Sequence, residues 1–301
     1  MPDSPLPEPE PRDVLSALAI TPAGPCDRVS GGWDTLIWRF PTDDGRFHAL
    51  RLYRGCGDGE REAAARERAA MQAAAAGGLP VPRLDASGEF EGRPAFVLEW
   101  MAGQTLFDLV KAKPWSLPAL ARAMGRTQAR LHRLPLPEGL PRLDPPWLAR
   151  NIEHPGLRDA MITEARADTF CHLDYHPLNV MGRGHEVTGV LDWTNAAITD
   201  ARVDLAFTHT ALLELPLPRG PINLAFQQVR RLFYRYWRQG YEAEAGSFPL
   251  GPLWKALATY RYYGEVEAAV RERRGWATEE SLAKLCEVRD RRMAEAGLDP
   301  P

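Results

Sequence analysis

The periodicity of this chain changes at Gly103, and that change constrains its fold more than any other feature. Before it, residues 33–40 (WDTLIWRF) and 46–53 (RFHALRLY) read as strands joined by the turn Thr42-Asp43-Asp44-Gly45. Residues 60–76 are rich in Ala, Glu and Arg, strong helix formers, and Gly77-Gly78 ends the run. Two more short strands are expected near 82–87 and 94–100, and a short helix near Asp13–Ala19. Met101-Ala102-Gly103 reads as a hinge. Beyond it, residues 116–132 and most of 200–297 carry helical periodicity, broken by proline-rich loops at 135–146 and 216–221. Between these helices, residues 168–193 hold strand-like apolar runs on either side of a polar loop. The expected class is therefore α+β, with residues 12–102 forming a small β-rich lobe and 103–301 a larger, mainly helical one. Residues 1–11 hold five prolines among acids and read as a mobile tail.

Composition narrows the function. The 301 residues are 45% hydrophobic and 26% charged, enough to bury a substantial core. Lys plus Arg number 37 against 40 for Asp plus Glu, so the clustered cation excess needed for a phosphate backbone is lacking and nucleic acid is not an expected partner. No apolar run reaches the ~18–20 residues of a spanning helix, and the N-terminus lacks a signal-peptide layout. A soluble cytoplasmic protein without a membrane partner is the expectation. Cys26, Cys56, Cys171 and Cys286 form no CxxC pair, which points away from a zinc site or a disulfide framework. Only four of the 37 basic residues are lysines, a bias that lowers the meaning of an Arg found where a Lys might stand.

Two local patterns carry little. Gly55-Cys56-Gly57-Asp58-Gly59 follows a strand and precedes a helix, but the third glycine of G-x-G-x-x-G would fall at Glu60, whose carboxylate repels pyrophosphate. Ser281-Leu282-Ala283-Lys284 matches S-x-x-K without the S-D-N and K-T-G that would complete it. There is no G-x-x-x-x-G-K-[ST], H-E-x-x-H or G-x-S-x-G.

The segment Phe170–Trp193, FCHLDYHPLNVMGRGHEVTGVLDW, is different. Asp174 follows His172 by two residues, Asn179 follows five later, and Asp192 ends the apolar run Val187–Leu191. ATP-dependent phosphoryl transfer needs one carboxylate to orient and deprotonate the attacking hydroxyl. It also needs an amide oxygen and a second carboxylate to hold Mg²⁺ against the phosphates. Asp174 suits the first task, Asn179 and Asp192 the second. A strand–turn–strand between Asn179 and Asp192 would bring both to one wall of a cleft.

This segment resembles the catalytic loop and metal-binding strand of the aminoglycoside phosphotransferase/choline kinase family, relatives of the protein kinases. The resemblance runs over roughly 25–300. Glu67, thirteen residues before Pro80, resembles the family's helix glutamate ahead of a P-V-P strand start. Phe96–Met101 with Gly103 resembles the nucleotide hinge, Leu131-His132 the L-H pair closing a helix, and Asp204-Leu205-Ala206 the D-L-A after the metal-binding Asp. The resemblance implies a two-lobed protein-kinase-like fold using ATP (or GTP) and Mg²⁺. It implies adenine contacts through main-chain groups near Glu99 and Met101, and a phosphate-covering turn at Ser30-Gly31-Gly32. It gives Arg51, with Glu67 as its partner, the place of the usual phosphate-binding Lys. His172 would hold the catalytic loop by hydrogen bonds, and Asp204 would cap a loop or helix.

Three departures stand out: Arg51 for Lys, Leu173 where Gly is common, and Trp193-Thr194 after the metal-binding Asp. The expected activity is transfer of a γ-phosphoryl group to a hydroxyl of a small molecule. The alternative is a nucleotide-binding regulatory protein or pseudokinase without turnover. Acceptors in such a family include aminoglycosides, macrolides, choline, homoserine and sugars. Residues 205–301 hold 14 Lys plus Arg against 12 Asp plus Glu, which disfavours a polycationic acceptor, with Glu265 and Glu267 the candidate local acids.

Overall fold

The computed structural model describes residues 7–29, 35–144, 152–216, 223–274 and 277–301. Five strands form the N-terminal sheet: β1 (Asp27–Val29), β2 (Thr35–Pro41), β3 (Phe47–Tyr53), β4 (Leu84–Phe90) and β5 (Arg93–Glu99). Their order is β1-β2-β3-β5-β4, with every neighbouring pair antiparallel. The β2–β3 hairpin sets Thr35 opposite Tyr53 and Pro41 opposite Phe47, and Gly45 takes the positive φ of +76° that its turn requires. At three residues, β1 is too short to show a period in sequence.

Strand alternation decides which side chains meet the cleft. His48, Leu50 and Leu52 of β3 are buried on one face. There Leu50 and Leu52 join Leu36, Trp38, Phe40 and Val97 beneath α1 (Pro11–Ala17). Ala49, Arg51 and Tyr53 point the other way, under α2 (Asp58–Ala76). That helix buries Ala64, Glu67, Ala70, Met71 and Ala74, a stripe at helical spacing whose alanines allow close approach to the sheet. Residues 7–10, within the segment read as a tail, touch this lobe: the Pro7 carbonyl accepts from Arg93 at 3.3 Å, and Glu8 pairs with Arg28 at 2.7 Å.

After the hinge come β6 (Gln104–Thr105), α3 (Leu106–Ala112), α4 (Leu117–Leu131), α5 (Pro155–Glu164), β7 (Thr169–Cys171), β8 (Val180–Arg183), β9 (Glu186–Val190) and β10 (Ala197–Thr199). The helices α6 (Ala201–Leu213), α7 (Asn223–Ala245), α8 (Pro252–Arg271) and α9 (Glu279–Glu295) complete the chain. The small strands pair as β6-β8-β9 and β7-β10. One hydrophobic cluster runs from Met71 and Phe96 through Trp193 to Leu120 and Trp237, so the two lobes share a core and the cleft walls keep their spacing. No described helix is long and apolar enough to cross a membrane.

The crossing of α4 and α7 is a backbone-to-backbone contact. A Cβ added at Gly125 would lie 2.0 Å from the Trp237 carbonyl oxygen, and one at Gly240 would lie 2.1 Å from that of Arg122. Gly125→Ala is therefore expected to lower the unfolding free energy by at least ~1–3 kcal/mol, the usual cost of overpacking. Urea titration reads this as a lower midpoint, and an unchanged midpoint would contradict the contact.

At the end of α6, Glu214 is 7% exposed and pairs with Arg292 and, at 3.2 Å, Arg291 of α9. Burial pushes its carboxyl up, but His209 and Arg292 outweigh it and bring the pKa from 4.5 to about 2. A depressed carboxylate stabilises the fold above its unfolded pKa, so this contribution is present above about pH 4.5 and lost as pH falls toward 2. Glu214→Gln should cost ~1–3 kcal/mol at neutral pH and flatten the acid limb of the stability curve in thermal melts.

Candidate active site

The β8–β9 hairpin assembles the three residues singled out by spacing. Val180 faces Val190 in its register, and beyond that pair the Leu191 amide donates to the Asn179 carbonyl at 2.8 Å. Asn179 and Asp192 therefore emerge side by side. The Asn179 Nδ2 group donates to the Asp174 carbonyl at 3.0 Å and to its Oδ2 at 2.8 Å. This directs the amide oxygen of Asn179 away from Asp174, the orientation a metal ligand needs. Asp174 Oδ1 lies 3.2 Å from His176 Nε2. Burial pulls the His176 pKa down, but Asp174 outweighs it and the net shift is upward. Sequence reasoning had no role for His176; its place between Asp174 and Asn179 is the only signal it offered.

His172 is fully buried and joins the two halves of the site. Its Nδ1 accepts from the Asp174 amide at 3.2 Å, so Nε2 carries the proton and donates to the Leu191 carbonyl at 3.0 Å. Burial pushes its pKa down and keeps the ring neutral, as this bonding pattern requires. Leu173 and Asp192, the neighbours of these two bonds, both take left-handed backbone conformations, with φ of +62° and +59°.

Arg51 reaches the site from the other lobe. Its Nη1 donates to Glu67 Oε1, Nε to Thr35 Oγ1 at 3.2 Å, and Nη2 to Asp192 Oδ1 at 3.2 Å and Thr194 Oγ1 at 3.3 Å. Glu67 is 1% exposed and also accepts from the Tyr53 hydroxyl at 2.5 Å. Burial disfavours the Arg51 charge, but Glu67 and Asp192 hold its pKa above the usual range. The same guanidinium outweighs the effect of burial on Asp192, leaving that carboxyl below its ordinary value. The planar fork of Arg51 lets separate nitrogens serve Glu67 and Asp192, where an ammonium would offer a single point charge. Arg66 adds a second tie between the lobes, Nε to the Thr194 carbonyl at 2.6 Å. Tyr53, Thr35 and Arg66 escaped the sequence reading because nothing local marks them, and Thr194 was noted only as a departure after Asp192, with no contact expected of it.

Glu99 ends β5 and donates its amide to the Arg83 carbonyl at 2.9 Å. Met101 follows and packs its side chain against Gly189 of β9. The connection then turns at Gly103, whose φ is +117° and whose Cβ would meet the Gly182 carbonyl at 2.2 Å, so no other residue fits there. Ser30, Gly31 and Gly32 lie outside the described residues.

Of the two roles expected of Asp204, the structure gives it the loop cap, since Asp200 is the N-cap of α6. The Asp204 carboxylate, fully buried, accepts from the Leu173 amide at 2.5 Å and from Gln128 at 2.9 Å, and lies 2.8 Å from His132 Nε2. Burial pushes its pKa up, but His132 and Gln128 outweigh it. His132, Cys171 and Asp204 converge within 4.8 Å, yet His132 spends its other nitrogen on the Tyr241 hydroxyl at 2.9 Å. Burial also pushes the Cys171 thiol well up, so this cluster is hydrogen-bonded core rather than an open metal site.

One face of α8 turns toward Asp174. Burial raises the Tyr262 phenol, and the Asp174 charge adds to the shift. Burial also raises the Glu265 carboxyl, with Arg261 opposing and Asp174 adding, and Glu265 pairs with Arg261 at 2.9 Å. Glu267 instead receives the Tyr263 hydroxyl at 3.3 Å. Of the two candidate acids, Glu265 is the one that feels Asp174.

A model of the phosphotransferase enzyme family matches residues 26–245. No curated protein matches the sequence. Among solved structures, a macrolide 2'-phosphotransferase type I superposes with a TM-score of 0.57 at 16% identity, covering 96% of each chain. A putative fructosamine-3-kinase from Thermobifida fusca YX-ER1 gives 0.53 at 17% identity, covering 91% of this chain and 94% of its own. The ternary complex of streptomycin, ATP and APH(2'')-IIa gives 0.52 at 15%, covering 86% and 90%. At these identities the likeness is one of fold: a two-lobed α+β architecture of the kinase type.

Proposed function

Because the chain belongs to the phosphotransferase enzyme family, we propose that it moves the γ-phosphoryl group of ATP (or GTP) to a hydroxyl of a small molecule. The observation that carries this reading is the convergence of Asp174, on the loop before β8, with Asn179 and Asp192 at the ends of the β8–β9 hairpin, and with Arg51 of the other lobe facing them. Asp174, held by Asn179 and His176, orients the acceptor hydroxyl and takes its proton. The Asn179 amide oxygen and the Asp192 carboxylate are hard oxygen donors and would hold Mg²⁺, which when bound neutralises phosphate charge. Arg51 binds the phosphates, fixed toward the cleft by Glu67. Main-chain groups near Glu99 and Met101 take adenine, and the amides of Ser30-Gly31-Gly32 cover the phosphates.

The structures compared are titled for macrolide, fructosamine and streptomycin chemistry. For this chain we infer an acceptor carrying at most one positive charge, because a single acid on the α8 wall, already paired with Arg261, is a poor match for a polycation. ADP release should be measured with ATP, Mg²⁺ and a panel of macrolides, aminoglycosides, fructosamines, choline and homoserine. Release that depends on both Mg²⁺ and an acceptor supports the kinase. Nucleotide binding without release under every acceptor would favour the regulatory alternative.

A further inference from the structure

Where β3 ends, the chain passes through Gly55-Cys56-Gly57-Asp58-Gly59, the glycine run that carries no dinucleotide fingerprint, and enters α2. There the two lobes border a cavity of about 460 Å³. Tyr53 and Ala63 give it apolar walls, and Gly59 leaves one side bare, since a Cβ there would meet nothing within 4 Å. Arg54 lines it from the small lobe and Arg274, just beyond α8, from the large one. None of the described residues that line it belongs to the hinge at Glu99 and Met101, so it is distinct from the proposed adenine site.

Charge around this cavity is unbalanced. Arg54 forms no hydrogen bond or ion pair with any described residue. Arg274 pairs with Glu272 at 2.7 Å, but the two are 42% and 49% exposed, and a pair so exposed is weak and exchanges readily. The one acid on the wall, Glu60, turns its carboxylate to the Gly57 amide at 3.0 Å. A neutral or cationic group placed here would leave both guanidiniums uncompensated, whereas a carboxylate or phosphate can accept from each of them. The cavity also adjoins the candidate active site. Thr194, on its wall, donates to Asp192 Oδ1 at 2.8 Å. The helix α8, whose Glu265 feels Asp174, ends at Arg271, about 9 Å of helix beyond Glu265, and Arg274 follows.

We propose that this cavity holds the far end of the acceptor, and that the acceptor is a hydroxy compound bearing a carboxylate or phosphate group about 10 Å from its reacting hydroxyl, gripped between Arg54 and Arg274. The proposal rests on the kinase reading for the transfer step but not for the anion site. In that step the acceptor oxygen forms the new P–O bond, the bond from the γ-phosphorus to the ADP oxygen breaks, and the hydroxyl proton passes to Asp174. The anionic group is a handle and takes no part in the chemistry.

Four alcohols of matched chain length test this: 6-hydroxyhexanoate and 6-hydroxyhexyl phosphate, which carry the anion, and 1,6-hexanediol and 6-aminohexan-1-ol, which do not. With wild-type protein, ATP and Mg²⁺, the KM read from ADP release should be at least ~10-fold lower for an anionic alcohol than for the diol or the amine. Arg54→Ala/Arg274→Ala should raise the KM of the anionic alcohols ~10–100-fold, while the KM values for the diol and for ATP move less than ~3-fold. Gly59→Phe, which fills the cavity and leaves both arginines in place, should raise the KM of the anionic alcohols at least ~10-fold as well. Inorganic phosphate should compete with 6-hydroxyhexanoate. If it instead stimulates turnover of the diol, the site takes a free anion as an effector and the acceptor assignment is overturned. Equal KM values for anionic and neutral alcohols in the wild type would also overturn it, as would a raised KM for ATP in the double variant, which would give the two cations to the nucleotide. Where none of the four alcohols is turned over, calorimetry with ADP and Mg²⁺ decides. There 6-hydroxyhexanoate should bind the wild type at least ~10-fold more tightly than the double variant, and equal binding, or none to either, would overturn the proposal. Absence of turnover across the wider acceptor panel would sink the kinase reading alone.

Discussion

Asp174→Asn should lower kcat by ~10²–10⁴, about 3–5 kcal/mol of barrier, while nucleotide binding survives. The substitution keeps the shape of the side chain, and one amide oxygen can still accept from Asn179 Nδ2, so the loop should hold its form. What disappears is the carboxylate that takes the hydroxyl proton, together with the negative partner of His176. Asp192→Ala should act differently. It removes a proposed metal ligand and a partner of Arg51, so calorimetry should show ADP binding losing its dependence on Mg²⁺. If Asp174→Asn turns over at near wild-type rate on an acceptor the wild type uses, the base has been misassigned.

The second large effect is expected at Arg51. Arg51→Ala should raise the KM for ATP and cut kcat by ~10²–10³, the size seen when a preorganised charge stabiliser is removed. It should also destabilise the fold, because Glu67 would remain at 1% exposure with only Tyr53 as partner, a loss of ~3–5 kcal/mol for a broken buried pair. The two consequences separate in the double variant Arg51→Ala/Glu67→Gln. Removing the orphaned charge should recover much of the stability and none of the ATP kinetics. Arg51→Lys should be milder in kcat, yet it should loosen the lobes, since an ammonium cannot reach Glu67, Asp192 and Thr194 together. Unchanged ATP kinetics in Arg51→Ala would return the residue to a purely structural tie between lobes and leave the phosphates needing another cation.

The legible parts of the site were those in which neighbours in sequence are neighbours in space. Asp174, Asn179 and Asp192 lie on one loop and hairpin, so their spacing in the chain already reflects their grouping. Alternation along β3 put Arg51 on the face opposite Leu50 and Leu52, and helical spacing put Glu67 on the buried stripe of α2, so their pairing could be anticipated. The links from Arg51 to Asp192 and Thr194, 141 and 143 residues away, could not, because no local pattern records the closing of two lobes. Asp204 caps a loop, one of the two roles expected of it, but its other partners were hidden for a related reason. Next to a helix start it reads as a cap, but Asp200 fills that place and Asp204 turns inward to Gln128 and His132, 76 and 72 residues earlier. Leu173 stands where such a family commonly has glycine, but the leucine itself does not reveal that its backbone takes a φ of +62°.

The most direct test of the whole account follows the phosphoryl group itself. Wild-type protein is incubated with ATP labelled at the γ-phosphate, Mg²⁺ and each member of the acceptor panel, and the label is located by chromatography and mass spectrometry. The account predicts label on an acceptor hydroxyl, formed only with Mg²⁺, abolished in Asp192→Ala and strongly reduced in Asp174→Asn. Label that stays on ATP, or appears only as inorganic phosphate whichever acceptor is present, would contradict it.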